Sequence, residues 1–203
     1  KFQKPNSNSF CQGTKISQMK QFLLGLCLFM TFGLSQAEAQ KYFTREGKIS
    51  FYSDTPVEKI EAHNQKATCI LDTESGKMEF AVLVKAFQFE KALMQEHFNE
   101  NYMESGTYPK SVFKGQIANA ADVDFSKDGT YDVTVEGELT IHGIAQTVST
   151  PGQITVAGDK ISATAKFETK PENHGIKIPS VVRKNIAEIV EIDVNVALEP
   201  FKR

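Results

Sequence analysis

From Tyr131 to Ile141 the chain alternates without a break. Tyr131, Val133, Val135, Gly137, Leu139 and Ile141 share one face, and Asp132, Thr134, Glu136, Glu138 and Thr140 the other. A period of two over eleven residues fits a strand with one dry and one wet face and fits no helix. His142-Gly143 breaks the run as a tight turn does. Ile161, Ala163, Ala165 and Phe167 repeat the pattern, and so do Ile192, Val194, Val196 and Leu198. Several one-sided strands in succession must enclose an apolar interior, so the expected fold is all-β and antiparallel.

The other segments complete that outline. Residues 47–53 read as a first strand with Ile49 and Phe51 inward, and Ser53-Asp54-Thr55-Pro56 as a turn able to cap a short helical stretch near Val57. Residues 67–71 form a second strand. Residues 78–89 form a long third one, with Phe80, Val82 and Val84 inward and Ala81, Leu83 and Phe87 on a face that something must cover. Over residues 90–104 the period changes to that of a helix, bringing Leu93 and His97 to one side and Met94, Phe98 and Tyr102 beside them, with Gly106 as its stop. Lys127-Asp128-Gly129 is a hairpin turn. Val148 to Thr155 is a strand interrupted by Pro151-Gly152, Pro171 to Pro179 an irregular crossing, and Val190 to Leu198 the closing strand. About eight strands with one amphipathic helix favour a lipocalin-like antiparallel barrel, because closure removes exposed edges. A sandwich is the alternative.

The first thirty-nine residues do not share this pattern. Met19-Lys20 opens a charged n-region, Phe22 to Leu34 is apolar but for Gly and Thr, and Ala37-Glu38-Ala39 is a small-x-small cleavage site. That order predicts a secretory signal peptide, with Met19 as the start, cleavage after Ala39, and a periplasmic or secreted product. The apolar run falls short of the ~20 residues of a membrane span, so stable membrane insertion is not expected. An uncleaved anchor is the alternative. A lipid-modified Cys27 is disfavoured by the preceding Leu26.

The single domain of residues 40–203 carries 19 Lys and Arg against 24 Asp and Glu, a net charge of −5, with no basic run. Nucleic acid and anionic surfaces are poor partners for it. Cys69 is its one cysteine, which excludes an internal disulfide and suits a small buried hydrophobe. Histidines 63, 97, 142 and 174 are scattered, without a ligand pair at metal-binding spacing, and His142 is expected to face solvent. No nucleophile elbow, phosphate loop or dinucleotide fingerprint occurs. No catalytic residue, metal or cofactor is expected, and the chain is read as a non-enzyme.

Three segments in order carry a resemblance. Met94-Gln95-Glu96-His97-Phe98-Asn99 with Tyr102-Met103 is followed by Tyr108-Pro109-Lys110-Ser111-Val112-Phe113, then by Leu139-Thr140-Ile141-His142-Gly143-Ile144. Their order and spacing resemble the YceI-like family of exported lipid-binding proteins, over roughly residues 41–200. Residues 57–68, a largely polar stretch containing His63-Asn64-Gln65-Lys66, stand where that family has an aromatic- and Gly-rich second strand. The resemblance implies a lipocalin-like barrel with a helix at its mouth and an apolar tunnel for a polyisoprenoid, isoprenoid quinone or fatty-acyl lipid. Phe80, Val82, Val84, Phe113, Val133, Val135, Leu139 and Phe167 are expected to line it, with Met94 and Phe98 at the mouth.

The residues themselves permit either a tunnel or a filled core. Ten Phe and no Trp remain after residue 39, and the small inward residues Cys69, Gly137, Ala163 and Ala165 leave width. Ten buried methylenes supply about 8 kcal/mol at ~0.8 kcal/mol each. An association cost of about 4 kcal/mol leaves only ~1 mM affinity, so a carrier needs a longer chain. An envelope interaction module with a filled core is the second reading, a lipid-acting barrel enzyme the third. Self-association as a homodimer stays open.

Overall fold

A computed structural model describes residues 40–201 and, upstream, Phe2; the predicted signal segment lies outside the described residues. The strands are β1 (Lys41–Asp54), β2 (Lys59–Asp72), β3 (Lys77–Leu83), β4 (Gln88–Phe89), β5 (Lys110–Ile117), β6 (Gly129–Ile141), β7 (Ile144–Ala157), β8 (Lys160–Thr169) and β9 (Val190–Pro200). Neighbours run β1-β9-β8-β7-β6-β5-β3-β2, and β1 pairs with β2 to close the ring; β4 adds a two-residue rung to β2. Every pairing is antiparallel. The result is a closed eight-stranded barrel rather than a sandwich.

Two strands are longer than their residues announce. No helix forms at Val57. Thr55 Oγ1 instead accepts hydrogen bonds from the Val57 and Glu58 amides and closes a turn. β2 then starts at Lys59. Its inward residues are Ala62 and Asn64, then Ala67, Cys69 and Leu71, so the phase slips between 64 and 67. The slip is a β-bulge, with Gly47 opposite Ala67 and Ile49 opposite Asn64. Asn64 is the polar clasp of this bulge: its Nδ2 donates to Leu83 O at 2.9 Å and its Oδ1 accepts from the Lys66 amide at 2.8 Å. β7 likewise runs unbroken through Pro151.

β3 corrects the expected third strand. After Leu83 the backbone tightens into a 3-10 turn over Val84–Ala86, with the Phe87 amide on Val84 O. One turn shifts the phase, so Phe87 points inward and Val84 does not. Val84 is buried against Met103 and Ile176, in a cluster of its own. The expected helix is also shorter. α1 covers Ala92–His97, and a π turn over Phe98–Tyr102 follows. Glu104, at φ 43°, rather than Gly106 reverses the chain.

Because the strands meander, their connections sort to two ends. The β1–β2 turn, residues 84–109, the His142-Gly143 turn and the 170–189 crossing share one end, termed the mouth. The other connections, the start of β1 and the end of β9 share the closed end. Leu71, Ile154, Ile161, Val196 and Leu198 pack the closed end with at most 1% exposure each. A fully buried aliphatic of this size contributes about 1.5–3 kcal/mol, so this end carries much of the fold's stability. Cys69 lies in the same core, and burial pushes its thiol pKa up to about 12. We expect no reaction of Cys69 with a thiol reagent in the native fold and full reaction after denaturation, as a mass-shift assay would show.

The expected solvent-facing His142 is corrected as well. The His142-Gly143 turn has positive φ at both residues (51° and 74°), the geometry of a two-residue hairpin turn. The His142 ring packs tilted against Tyr108, centroids 4.4 Å apart, with Nε2 3.2 Å from Glu104 Oε2 and Nδ1 3.3 Å from His174 O. Gly143 is needed twice over, since a Cβ there would meet the Tyr108 ring at 2.6 Å. The hairpin is thus fastened to the segment that follows the helix.

Candidate ligand-binding site

Above the packed closed end the barrel is hollow. A cavity of about 520 Å³ runs up to the mouth, a size typical of pockets that bury small ligands. Six strands contribute inward period-two residues: Ile49 and Phe51 from β1, Phe80 and Val82 from β3, Phe113 from β5, Val133, Val135 and Leu139 from β6, Ala163, Ala165 and Phe167 from β8, and Ile192 and Val194 from β9. At the mouth, α1 adds Leu93, Met94 and His97, and the 170–189 crossing adds Ile178, Val182 and Ile186.

An aromatic cluster seats the helix on the barrel. Phe51 stacks on Phe98 at 5.4 Å and meets Phe87 and Phe89 at 5.4 and 5.7 Å; Phe98 in turn meets Phe87 at 5.7 Å and Phe89 at 5.0 Å. Offset and edge-on geometries of this kind add about 0.5–1.5 kcal/mol per pair beyond area burial. Polar groups at the mouth tie its segments together. Glu58 Oε1 is 3.5 Å from Lys91 Nζ, Glu58 Oε2 accepts from Asn185 Nδ2 at 3.0 Å, and Ser53 Oγ accepts from the Ala187 amide at 2.8 Å. Among the described residues no group of three His, Cys, Asp or Glu comes together as a metal site.

A sequence profile of the YceI-like domain matches residues 36–198. The chain belongs to the YceI-like family. No curated protein sequence matches it. Among solved structures the YceI-like barrel is similar to a polyisoprenoid binding domain from Saccharophagus degradans implicated in plant cell wall breakdown. That match has 12% identity and a TM-score of 0.70, and covers 81% of this chain and 100% of the other. It is also similar to Burkholderia cenocepacia BcnA (19% identity, 74% and 95% covered, TM-score 0.63) and to a Campylobacter jejuni YceI protein (12%, 70% and 85%, 0.53). At these identities the likeness is one of fold.

Of the ten residues expected to line a tunnel, nine border the YceI-like cavity: Phe80, Val82, Met94, Phe98, Phe113, Val133, Val135, Leu139 and Phe167. Val84 does not, for the reason given by the 3-10 turn. Phe51, Phe87 and Phe89 complete the aromatic cluster and lie outside the ten expected positions. Phe51 was readable as inward, but Phe87 and Phe89 depend on the same turn. The width expected at Gly137 is not free either. Gly137 faces Gly115 across β5 and β6, and the Phe113 ring occupies the space a Cβ on either would need.

One side of the mouth is a seam. β7 and β8 pair only from Gly152 and Ala165 down to the closed end, because Pro151 has no N–H to continue the ladder. Above it, Thr150 Oγ1 donates to Lys166 O at 3.1 Å and residues 170–176 fill the gap. His174 anchors that filling: Nδ1 is 3.1 Å from Ile144 O and Nε2 3.1 Å from Thr169 Oγ1, both satisfied by the neutral ring. Burial holds its pKa below the ordinary 6.5, against a smaller upward pull from the Ile144 bond. The unfolded chain therefore takes the proton first, and stability present above that value is lost as pH falls below it toward the folded pKa. We expect the melting temperature to fall as the pH drops below the ordinary 6.5 of a free imidazole, and His174→Gln to flatten that slope at a lower plateau.

Proposed function

We propose that this protein is a non-catalytic carrier that holds one long-chain amphiphile, an isoprenoid or fatty-acyl lipid, inside the barrel. The observation that carries the reading is the division of the interior: the closed end is packed, while the mouth half is an apolar-walled cavity open under the helix. Taking about 30 Å³ per chain carbon, the share a water has in the liquid, the cavity of about 520 Å³ accepts roughly 17 carbons. At ~0.8 kcal/mol per methylene, and after the same association cost of about 4 kcal/mol, such a chain binds at ~0.1 μM. The flexible Met94 and the aromatic Phe98 suit a chain of variable shape. A polyisoprenoid-binding relative by fold supports the same class of ligand. Export by the N-terminal signal, to a periplasmic or secreted location, is part of this proposal. Native mass spectrometry of the purified protein, followed by organic extraction, tests it. A single stoichiometric lipid is expected; a barrel that carries none and takes up none from an offered C16 or C20 chain would sink the reading.

A further inference from the structure

The mouth of the barrel is apolar on its outside as well as on its inside. Val57 in the β1–β2 turn is 63% exposed, Leu93 in α1 61%, Val181 in the crossing 88% and Ile189 46%. Leu83 and Ile144 add two more at the same end, whereas among the described residues of the barrel only Ile70 and Phe201 are large, apolar and similarly exposed elsewhere. Such side chains scattered over a surface are ordinary; gathered at one end they mark a contact. The ion pair and hydrogen bonds at Glu58 and Ser53 draw the three segments that carry them around a single opening.

The crossing is apolar on both sides. Ile178, Val182 and Ile186 face the cavity, while Val181 and Ile189 face out, so an apolar path leads from outside the rim to the interior. The rim segments, residues 54–59, 84–109 and 170–189, carry seven Lys and Arg against eight Asp and Glu. That balance offers nothing to a highly charged partner. Aliphatic tips interspersed with long cationic stems that can reach back to water match the interface of a lipid bilayer.

We propose that the mouth end docks on a bilayer surface through Val57, Leu93, Val181 and Ile189, zwitterionic lipid being sufficient. The docking rests on the rim alone; that a lipid then passes between bilayer and cavity rests on the carrier reading above. The chain contains no Trp, so a single introduced Trp reports its own surroundings. In the full chain, Val181→Trp and, separately, Val57→Trp should blue-shift on phosphatidylcholine vesicles and be quenched by brominated acyl chains. Asp159→Trp, in the exposed β7–β8 turn at the closed end, should do neither, whether or not another part of the chain holds the protein to the vesicle. Adding Val57→Asp to Val181→Trp should abolish most of the shift. Unchanged reporters, equal shifts at both ends, or a Val181→Trp shift that follows protein concentration without vesicles (a second copy covering the rim) would each overturn the proposal. Extracted lipid is a separate readout: reporters that dock on a barrel yielding no lipid uphold the docking and count against the carrier.

Discussion

Val196→Asp should unfold the barrel or lower its stability by about 3–5 kcal/mol, the scale of an uncompensated buried charge. Val196 is 1% exposed, sits in the closed-end core and faces Ala163 across the β8–β9 ladder. Nothing there pairs with a carboxylate or hydrates it. Asn195→Asp, one residue away, should change the melting temperature little, because its side chain points to water. Val194→Asp should fall between the two: Val194 borders the cavity, where the new charge is partly hydrated. Denaturant melts of the three variants read out the register of β9 directly, and equal midpoints for Val196→Asp and Asn195→Asp would contradict it.

Val135→Trp should empty the cavity while sparing the fold. Val135 lies on the cavity wall in β6, paired with Thr150 and Ile117 on the neighbouring strands. An indole is far larger than an isopropyl group, and open space in front of it lets the added volume displace ligand instead of core atoms. The expected result is loss of most bound lipid, with a shift in stability below about 1 kcal/mol. In a filled barrel the same substitution would overpack and cost about 1–3 kcal/mol. Native mass spectrometry and a thermal melt on this one variant separate the two cases. A large destabilisation together with lipid-free wild-type protein would favour the filled-core interaction module over the carrier.

Where the residues alternate without interruption, they were sufficient to assign each side chain to a face. β6, β8 and β9 follow their period of two, so Val133, Val135, Leu139, Phe167, Ile192 and Val194 could be placed on the cavity side from spacing alone. The helical period over Met94 and Phe98 likewise marked an apolar face, which the tertiary structure sets at the mouth. This legibility has a simple cause: a closed barrel has one inside, so alternation has only one meaning.

Tertiary structure decided whatever depends on a change of phase or on a partner distant in the chain. The bulge at Asn64 hid most of β2 because its alternation restarts three residues later, and the Leu83 carbonyl from β3 together with the Lys66 amide makes a buried Asn acceptable there. The 3-10 turn at Val84–Ala86 sent Val84 to Ile176 and turned Phe87 inward, an exchange that no local pattern marks. His142 looked like a turn residue until Tyr108 and Glu104 from the segment after the helix and the His174 carbonyl from the crossing closed around it. Local spacing determines which face a residue takes while the backbone stays regular. Where the backbone departs from regularity, the orientation is set by contacts between segments tens of residues apart, whose energies exist only once the barrel has closed.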